Sequence, residues 1–206
     1  MIRNIIFDLA GVLLNLNIER DTEALLSVGL PDFEGCIERR EIAKPISLYL
    51  YGLIDKSTFI KAIRPFCFPK TSDEEILASM DAVLDDIPPS RLAALVELRK
   101  RYKVYLLSNL YDTAWEITRK QFLKAGYTVE QCFDQIFLSY EMQLAKPDPQ
   151  IYKEVMKATG IKPEETIYFD DSRDNIESAR QFGFQSCLVP MNCIETCRRY
   201  QLLLEM

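Results

Sequence analysis

Apolar residues fall along the chain in five short, nearly unbroken runs, at residues 2–9, 104–107, 135–138, 166–169 and 185–189. Each is rich in Ile, Val, Leu, Phe or Tyr and too short for an ordinary helix. Strands covered on both faces lose the alternation of apolar and polar positions, so these runs predict a parallel sheet with helices on each side. Ahead of and between the last four runs the spacing turns helical, over residues 91–101, 112–124, 149–159 and 174–182. Pro88-Pro89-Ser90 opens the first of these helices, and Gly126, Gly160 and Gly183 close the others. Strands alternating with helices predict an α/β fold, a doubly wound, Rossmann-like parallel sheet that binds its ligands outside the carboxyl ends of its strands.

The first and second runs are separated by far more chain than one crossover needs, and no strand pattern fills the gap. Helical spacing does, over residues 18–27, 33–43, 46–51, 56–63 and 73–84, punctuated by Gly29, Pro31, Pro45, Gly52, Pro65 and Pro69. Thr71-Ser72-Asp73-Glu74-Glu75 reads as a helix start, with acids at the positive end of the dipole. The expected organisation is a core of residues 1–15 and 86–206 carrying a small α-helical cap of residues 16–85. A helical insertion at a strand's carboxyl end is placed to act as a lid.

Composition narrows the chemistry mainly by exclusion. The 206 residues include no histidine, which removes Ser/His and Cys/His nucleophilic pairs, phosphohistidine transfer and His-ligated zinc. The formal charge of -6 disfavours nucleic acid or an anionic membrane as partner. Six cysteines, at 36, 67, 132, 187, 193 and 197, show no C-x-x-C spacing, which leaves no tetrathiolate zinc pattern. The first residues, MIRNIIFDLAGVLL, fit neither a signal peptide nor a membrane span, so a cytoplasmic, reduced protein with packing cysteines is expected, Cys193 and Cys197 among them, one helical turn apart. Chemistry must then run on Asp, Glu, Lys, Ser, Cys or a hard metal.

Polar residues collect where the predicted strands end: Asp8 after the first, Ser108 and Asn109 after the second, Lys146 past the third, Asp170 and Asp171 after the fourth. One polar residue at a strand end is an ordinary loop start. Four ends that supply a nucleophilic carboxylate, a hydroxyl, a lysine and an acidic pair to one crevice describe a site. The segments Ile5-Ile6-Phe7-Asp8-Leu9-Ala10-Gly11, Val104-Tyr105-Leu106-Leu107-Ser108-Asn109, Lys146-Pro147 and Tyr168-Phe169-Asp170-Asp171-Ser172, with Asn175 beyond, occur in order across most of the chain. Together they resemble the haloacid dehalogenase superfamily of phosphatases, in the subfamily with an α-helical cap.

The resemblance implies a magnesium-dependent phosphomonoester hydrolase in which Asp8 attacks phosphorus and forms an aspartyl phosphate. It implies Mg2+ held by Asp8, the Ala10 carbonyl and Asp171, with Asp170 bound directly or one layer behind, and Lys146 offsetting the negative charge around Asp8. Ser108, Asn109 and Lys146 are the expected substrate-binding residues, with the Ser108 hydroxyl and the Asn109 N–H as donors to the transferring group. A small phosphorylated metabolite is the implied substrate, with a sugar phosphate such as α-D-glucose 1-phosphate suggested by the cap length and the Phe-Asp-Asp-x-x-Asp-Asn-Ile segment. One position departs from the pattern: most such phosphatases carry a general acid two residues after the nucleophile, where this chain has Ala10. A missing general acid forfeits a factor of about 10² to 10⁴ for substrates that need leaving-group protonation. Two other readings stay open, a non-catalytic binding or regulatory protein of this fold and a metal-free 2-haloacid dehalogenase, against which the acidic pair counts. Tyr49, Tyr51, Tyr111 and Trp115 could line a substrate pocket, although aromatics at helical spacing more often pack a core. The residues leave oligomeric state open.

Overall fold

All five apolar runs are strands of one sheet in the computed structural model, which describes residues 1–205. They are β1 (Asn4–Phe7), β2 (Lys103–Ser108), β3 (Gln135–Leu138), β4 (Thr166–Asp170) and β5 (Gln185–Leu188), ordered β3-β2-β1-β4-β5 and all parallel. The chain builds outward from β1 to β3 on one side and then crosses to β4 and β5 on the other. The topological switch lies between β1 and β4, where parallel sheets open a crevice at their carboxyl ends.

Successive residues of the central strands serve opposite faces, as a strand requires. Ile5, Phe7, Val104, Leu106, Ile167 and Phe169 belong to one buried cluster, which also takes in α6 (Pro89–Leu98) and α12 (Arg198–Glu205) through Leu92, Leu95, Tyr200 and Leu203. Ile6, Tyr105, Leu107 and Tyr168 join the other cluster, with Ile151, Tyr152 and Val155 of α10 (Pro149–Thr159) and Ile176 and Ala179 of α11 (Arg173–Gln181). Phe7 and Phe169 stack at 5.2 Å, with Tyr200 edge-on to both.

The long interval between β1 and β2 is helical: α1 (Ile18–Ser27), α2 (Phe33–Glu38), α3 (Arg40–Leu50), α4 (Lys56–Ile63) and α5 (Asp73–Asp81). Its two connections run antiparallel as a neck. The Asn15 N–H donates to Asp86 O, the Asp85 N–H to Asn15 O and the Asn17 N–H to Val83 O, each at 2.9 Å, and Leu16 bridges Leu84. The insertion rests on the carboxyl ends of β2 and β3. Tyr49 of α3 stacks between Phe59 and Tyr111 at 4.7 and 5.0 Å and donates its hydroxyl to Asp112, the first residue of α7 (Asp112–Lys124). Tyr111 donates to Met80 O at 2.8 Å, and Ser139 Oγ, just past β3, donates to Leu50 O at 2.6 Å.

Several boundaries differ from expectation. Pro45 does not divide two helices: α3 runs through it, and the break falls at Arg39, whose backbone is extended. Ile42 and Tyr49 lie two turns apart on the buried face of α3, and burying both outweighs the one hydrogen bond that Pro45 forgoes. Cys193 and Cys197 are not on one helix. Cys193 is exposed ahead of a 3₁₀ turn (Ile194–Thr196), and Cys197 is extended before α12. All six cysteines are free. The short helices α8 (Val129–Cys132) and α9 (Ser139–Met142), and α12, lie outside the helical spacing found in the sequence. Among the described residues no helix is long and apolar enough to cross a membrane.

Candidate active site

The sheet brings Asp8, Lys146, Asp170 and Asp171 to the switch point. β1 and β4 pair from Asn4↔Thr166 to Phe7↔Phe169, and the Asp8 N–H continues the ladder by donating to Phe169 O at 2.9 Å. The two carboxylates therefore leave adjacent strand ends side by side. One carboxylate oxygen each from Asp8, Asp170 and Asp171 lies within 4.8 Å of the others.

Lys146 is buried between them. Its Nζ reaches Asp8 Oδ1 and Asp170 Oδ2, both at 2.8 Å, and donates to Leu107 O at 2.9 Å. Three protons thus meet three protein acceptors. The backbone of Lys146 is fixed as well: its N–H donates to Asn109 Oδ1 at 2.9 Å, and Asn109 Nδ2 donates to its carbonyl at 2.7 Å. Asn109 therefore spends its side chain on the lysine loop.

The three carboxylates are partnered very differently. Asp170 accepts from Lys146, the Tyr168 hydroxyl, the Ser172 N–H at 2.8 Å and Asn175 Nδ2 at 3.0 and 3.1 Å. Both donors to Asp8, Lys146 and the Leu9 N–H at 2.7 Å, reach Oδ1. Among the described residues, Asp8 Oδ2 has no donor and no other residue's side chain donates to Asp171. Gly11 explains how Asp171 comes so near. A Cβ on Gly11 would lie 2.2 Å from Asp171 Oδ2, and its φ of 77° already favours glycine. Ser108 Oγ, at the end of β2, is buried without a hydrogen-bond partner among the described residues.

Electrostatics follow from this crowding. Burial pushes the Asp8 carboxyl up to about 7 against the pull of Lys146, with Asp170 and Asp171 adding to the rise. Burial works to discharge Lys146, but attraction to Asp170 and Asp8 outweighs it and the ammonium titrates above its usual value. Asp171 is also raised, by burial and then by Asp170. With all three carboxylates ionised, one ammonium leaves a surplus of two negative charges in the crevice, and that crowding is part of what raises Asp8 and Asp171. Donorless carboxylate oxygens with that surplus suit a hard divalent cation. The orphaned Ser108 hydroxyl suits an oxyanion beside it.

The sequence reading named Asp8, Ser108, Asn109, Lys146, Asp170 and Asp171, and the fold gathers Asp8, Lys146, Asp170 and Asp171 directly, with Asn109 bound to the lysine. Ala10 lies in the turn after Asp8 and bridges Leu14. Tyr168 escaped notice as an apolar strand residue, although positions two apart on a strand share a face, which places it with Asp170. Tyr49, Tyr111 and Trp115 are buried in the main core cluster, and the first two spend their hydroxyls on contacts between insertion and sheet.

Known proteins are similar to this chain. D-ribitol-5-phosphate phosphatase of Bacteroides thetaiotaomicron is 27% identical over 188 residues, covering 90% of this chain and 91% of its own. A phosphorylated carbohydrates phosphatase of Thermotoga maritima is 28% identical, covering 88% and 82%. A haloacid dehalogenase-family enzyme of B. thetaiotaomicron, crystallised with magnesium and inorganic phosphate, superposes with a TM-score of 0.83 at 35% identity, over 93% of this chain and 96% of that one. A profile of the haloacid dehalogenase-like hydrolases matches residues 2–183, nearly the whole span from β1 past α11. The chain belongs to the haloacid dehalogenase-like hydrolase family.

Proposed function

We propose that this protein is a magnesium-dependent phosphatase of small phosphorylated carbohydrates, with Asp8 as nucleophile. The observation that carries the reading is the cluster of three carboxylates, Asp8 and Asp170 buried against Lys146 and Asp171 half-buried beside them, with a formal surplus of two negative charges. The magnesium and phosphate bound by the related enzyme, and the phosphatase names of both relatives, support it. Asp8, Asp171 and the Ala10 carbonyl would hold the cation, which when bound would neutralise the phosphoryl oxygens and let a carboxylate approach a dianion. Asp170, saturated by protein donors, would stand behind them and hold Lys146. Asp8 attacks phosphorus with one carboxylate oxygen, forming an aspartyl phosphate as the P–O bond to the leaving group breaks, and the departing oxygen takes its proton from water. Water then cleaves the acyl phosphate, returning the carboxylate and inorganic phosphate. Ser108 Oγ and the Asn109 N–H donate to the transferring group. Lys146 fixes Asp8 and offsets its charge, since a substrate oxygen could take one of its protons only by displacing a protein acceptor.

Ala10 bears on the substrate. Without an acid to protonate the departing oxygen, the barrier depends more steeply on leaving-group acidity. Anomeric phosphates such as α-D-glucose 1-phosphate should therefore outrank primary phosphates such as sugar 6-phosphates. A metal-supplemented panel of phosphorylated carbohydrates, polyol phosphates included, tests the reading with an aryl phosphate control. Turnover that EDTA and Asp8→Asn both abolish supports it. Silence on every phosphate would favour a binding protein of the same fold, and organohalide turnover in EDTA a dehalogenase.

A further inference from the structure

The loop after β5 grips the nucleophile's loop through contacts that none of the four motifs accounts for. Asn192 sits there with φ 61°, in the left-handed region that few residues other than glycine adopt. Its backbone N–H donates to Gly11 O at 2.7 Å. Its side chain pairs with the Leu16 backbone, Nδ2 donating to Leu16 O and Oδ1 accepting from the Leu16 N–H, both at 2.8 Å. One residue thus holds both ends of segment 11–16. At one end is Gly11, against Asp171 and next to Ala10; at the other is Leu16, which bridges Leu84 in the neck of the insertion.

A buried arginine completes the clamp. Arg91 of α6 donates through Nη1 to Leu13 O at 3.1 Å and to Asn15 Oδ1 at 2.9 Å, and through Nη2 to Asn192 O at 2.7 Å. Glu195 accepts from its Nε at 2.6 Å and its Nη2 at 3.1 Å, a two-point pairing that fixes the plane of the guanidinium. Every guanidinium nitrogen of Arg91 is therefore occupied in tying the loop after β5 to the loop after β1.

We propose that Asn192 is a positioning residue of the phosphatase site. It sets the loop that carries Ala10 and backs Asp171, and it ties that loop to the neck on which the helical insertion is mounted. This role rests on the phosphatase reading above. Asn192 touches no reacting atom. It acts by keeping Gly11 and Leu16 at fixed separation, so that a tilt of the insertion is felt beside the nucleophile.

The test compares wild type with Asn192→Gly, which tolerates the left-handed backbone but lacks the amide, and Asn192→Asp, which keeps the acceptor for Leu16 and loses the donor. Thr196→Ala, in the same loop with its side-chain hydrogen bond going to Cys193 O, is the control. Expected for Asn192→Gly are hydrogen exchange at least tenfold faster across residues 11–17 with α10 unchanged, Mg2+ binding several-fold weaker by calorimetry with Mg2+ alone, and kcat at least fivefold lower at nearly constant KM. Asn192→Asp should fall between, and Thr196→Ala should match wild type. Wild-type exchange and kcat in Asn192→Gly would overturn the proposal, as would equal acceleration in α10. Should the glycine variant not fold, Asn192→Asp and the wild type decide: Leu16 and Asn192 amides exchanging in the wild type as fast as exposed loop amides would overturn it. If wild type hydrolyses no phosphomonoester, the phosphatase reading fails by itself, while exchange and Mg2+ titration still decide the clamp.

Discussion

Lys146 joins two carboxylates with one ammonium, so replacing it isolates the charges it joins. Breaking a buried pair from one side costs about 3–5 kcal/mol. Lys146→Met should lower stability by about that much in EDTA, read by urea denaturation. The unequal donors on the acidic pair predict unequal variants. Asp171→Asn should weaken Mg2+ binding with little change in melting temperature, whereas Asp170→Asn should lower kcat and stability more than Mg2+ affinity, because it loosens Lys146, Tyr168 and Asn175 together. Calorimetric Mg2+ titration of both variants checks this, and the opposite ranking would make Asp170 the ligand. That Asp8, Lys146 and the acidic pair come together was legible in the sequence because strand ends of a parallel sheet must converge. Asn192 and Arg91 were not. Asn192 binds backbone groups of Gly11 and Leu16, and Arg91 divides its bonds among backbone carbonyls, Asn15 and Glu195; partners so far apart along the chain leave no local pattern.

Elements were read well wherever one periodicity dominated. The helices at residues 18–27, 56–63, 112–124 and 149–159 have the expected bounds, and each strand was found within a few residues. The insertion was harder, because Pro45 signals a break that burial of Ile42 and Tyr49 overrides. Its docking on the sheet was illegible, since Tyr49, Gly52 and Ser139 meet only in three dimensions. Gly52 now gives a test. With φ 65° and a virtual Cβ 2.1 Å from Tyr140 O, Gly52→Ala combines left-handed strain with a backbone collision at α9. Gly126 has φ 86° and nothing within 4 Å of its virtual Cβ, so Gly126→Ala should cost only the strain, about 1–2 kcal/mol. Gly52→Ala should cost clearly more and raise KM as α3 is pushed off the sheet. Equal losses in urea denaturation would show that the insertion yields freely.

Across the whole molecule, the insertion carries two acids that burial raises to about 6, Asp21 and Asp81. Folded values above the ordinary Asp value near 3.9 mean that the native state binds the proton more tightly. The stability they contribute is therefore complete below about pH 4 and lost as pH rises through 6. Asp21→Asn should be more stable than wild type at pH 7.5, by on the order of 2 kcal/mol and several degrees in Tm, and the gain should vanish by pH 4. Tm measured against pH for both proteins checks it; a gain constant with pH would assign the effect to packing. The neck has a different consequence, in the order of events during synthesis. β1 emerges first but pairs with β2, about a hundred residues later, so its apolar strand waits without a partner. Closing that loop in an open chain is slow, and the cost grows with its length. Helices α1 to α5 form from local contacts and, once assembled, bring Leu16 to Leu84. The insertion is thereby expected to act as a splint laid down while the ribosome is still at work, delivering the start of the sheet to the place where its neighbours will arrive.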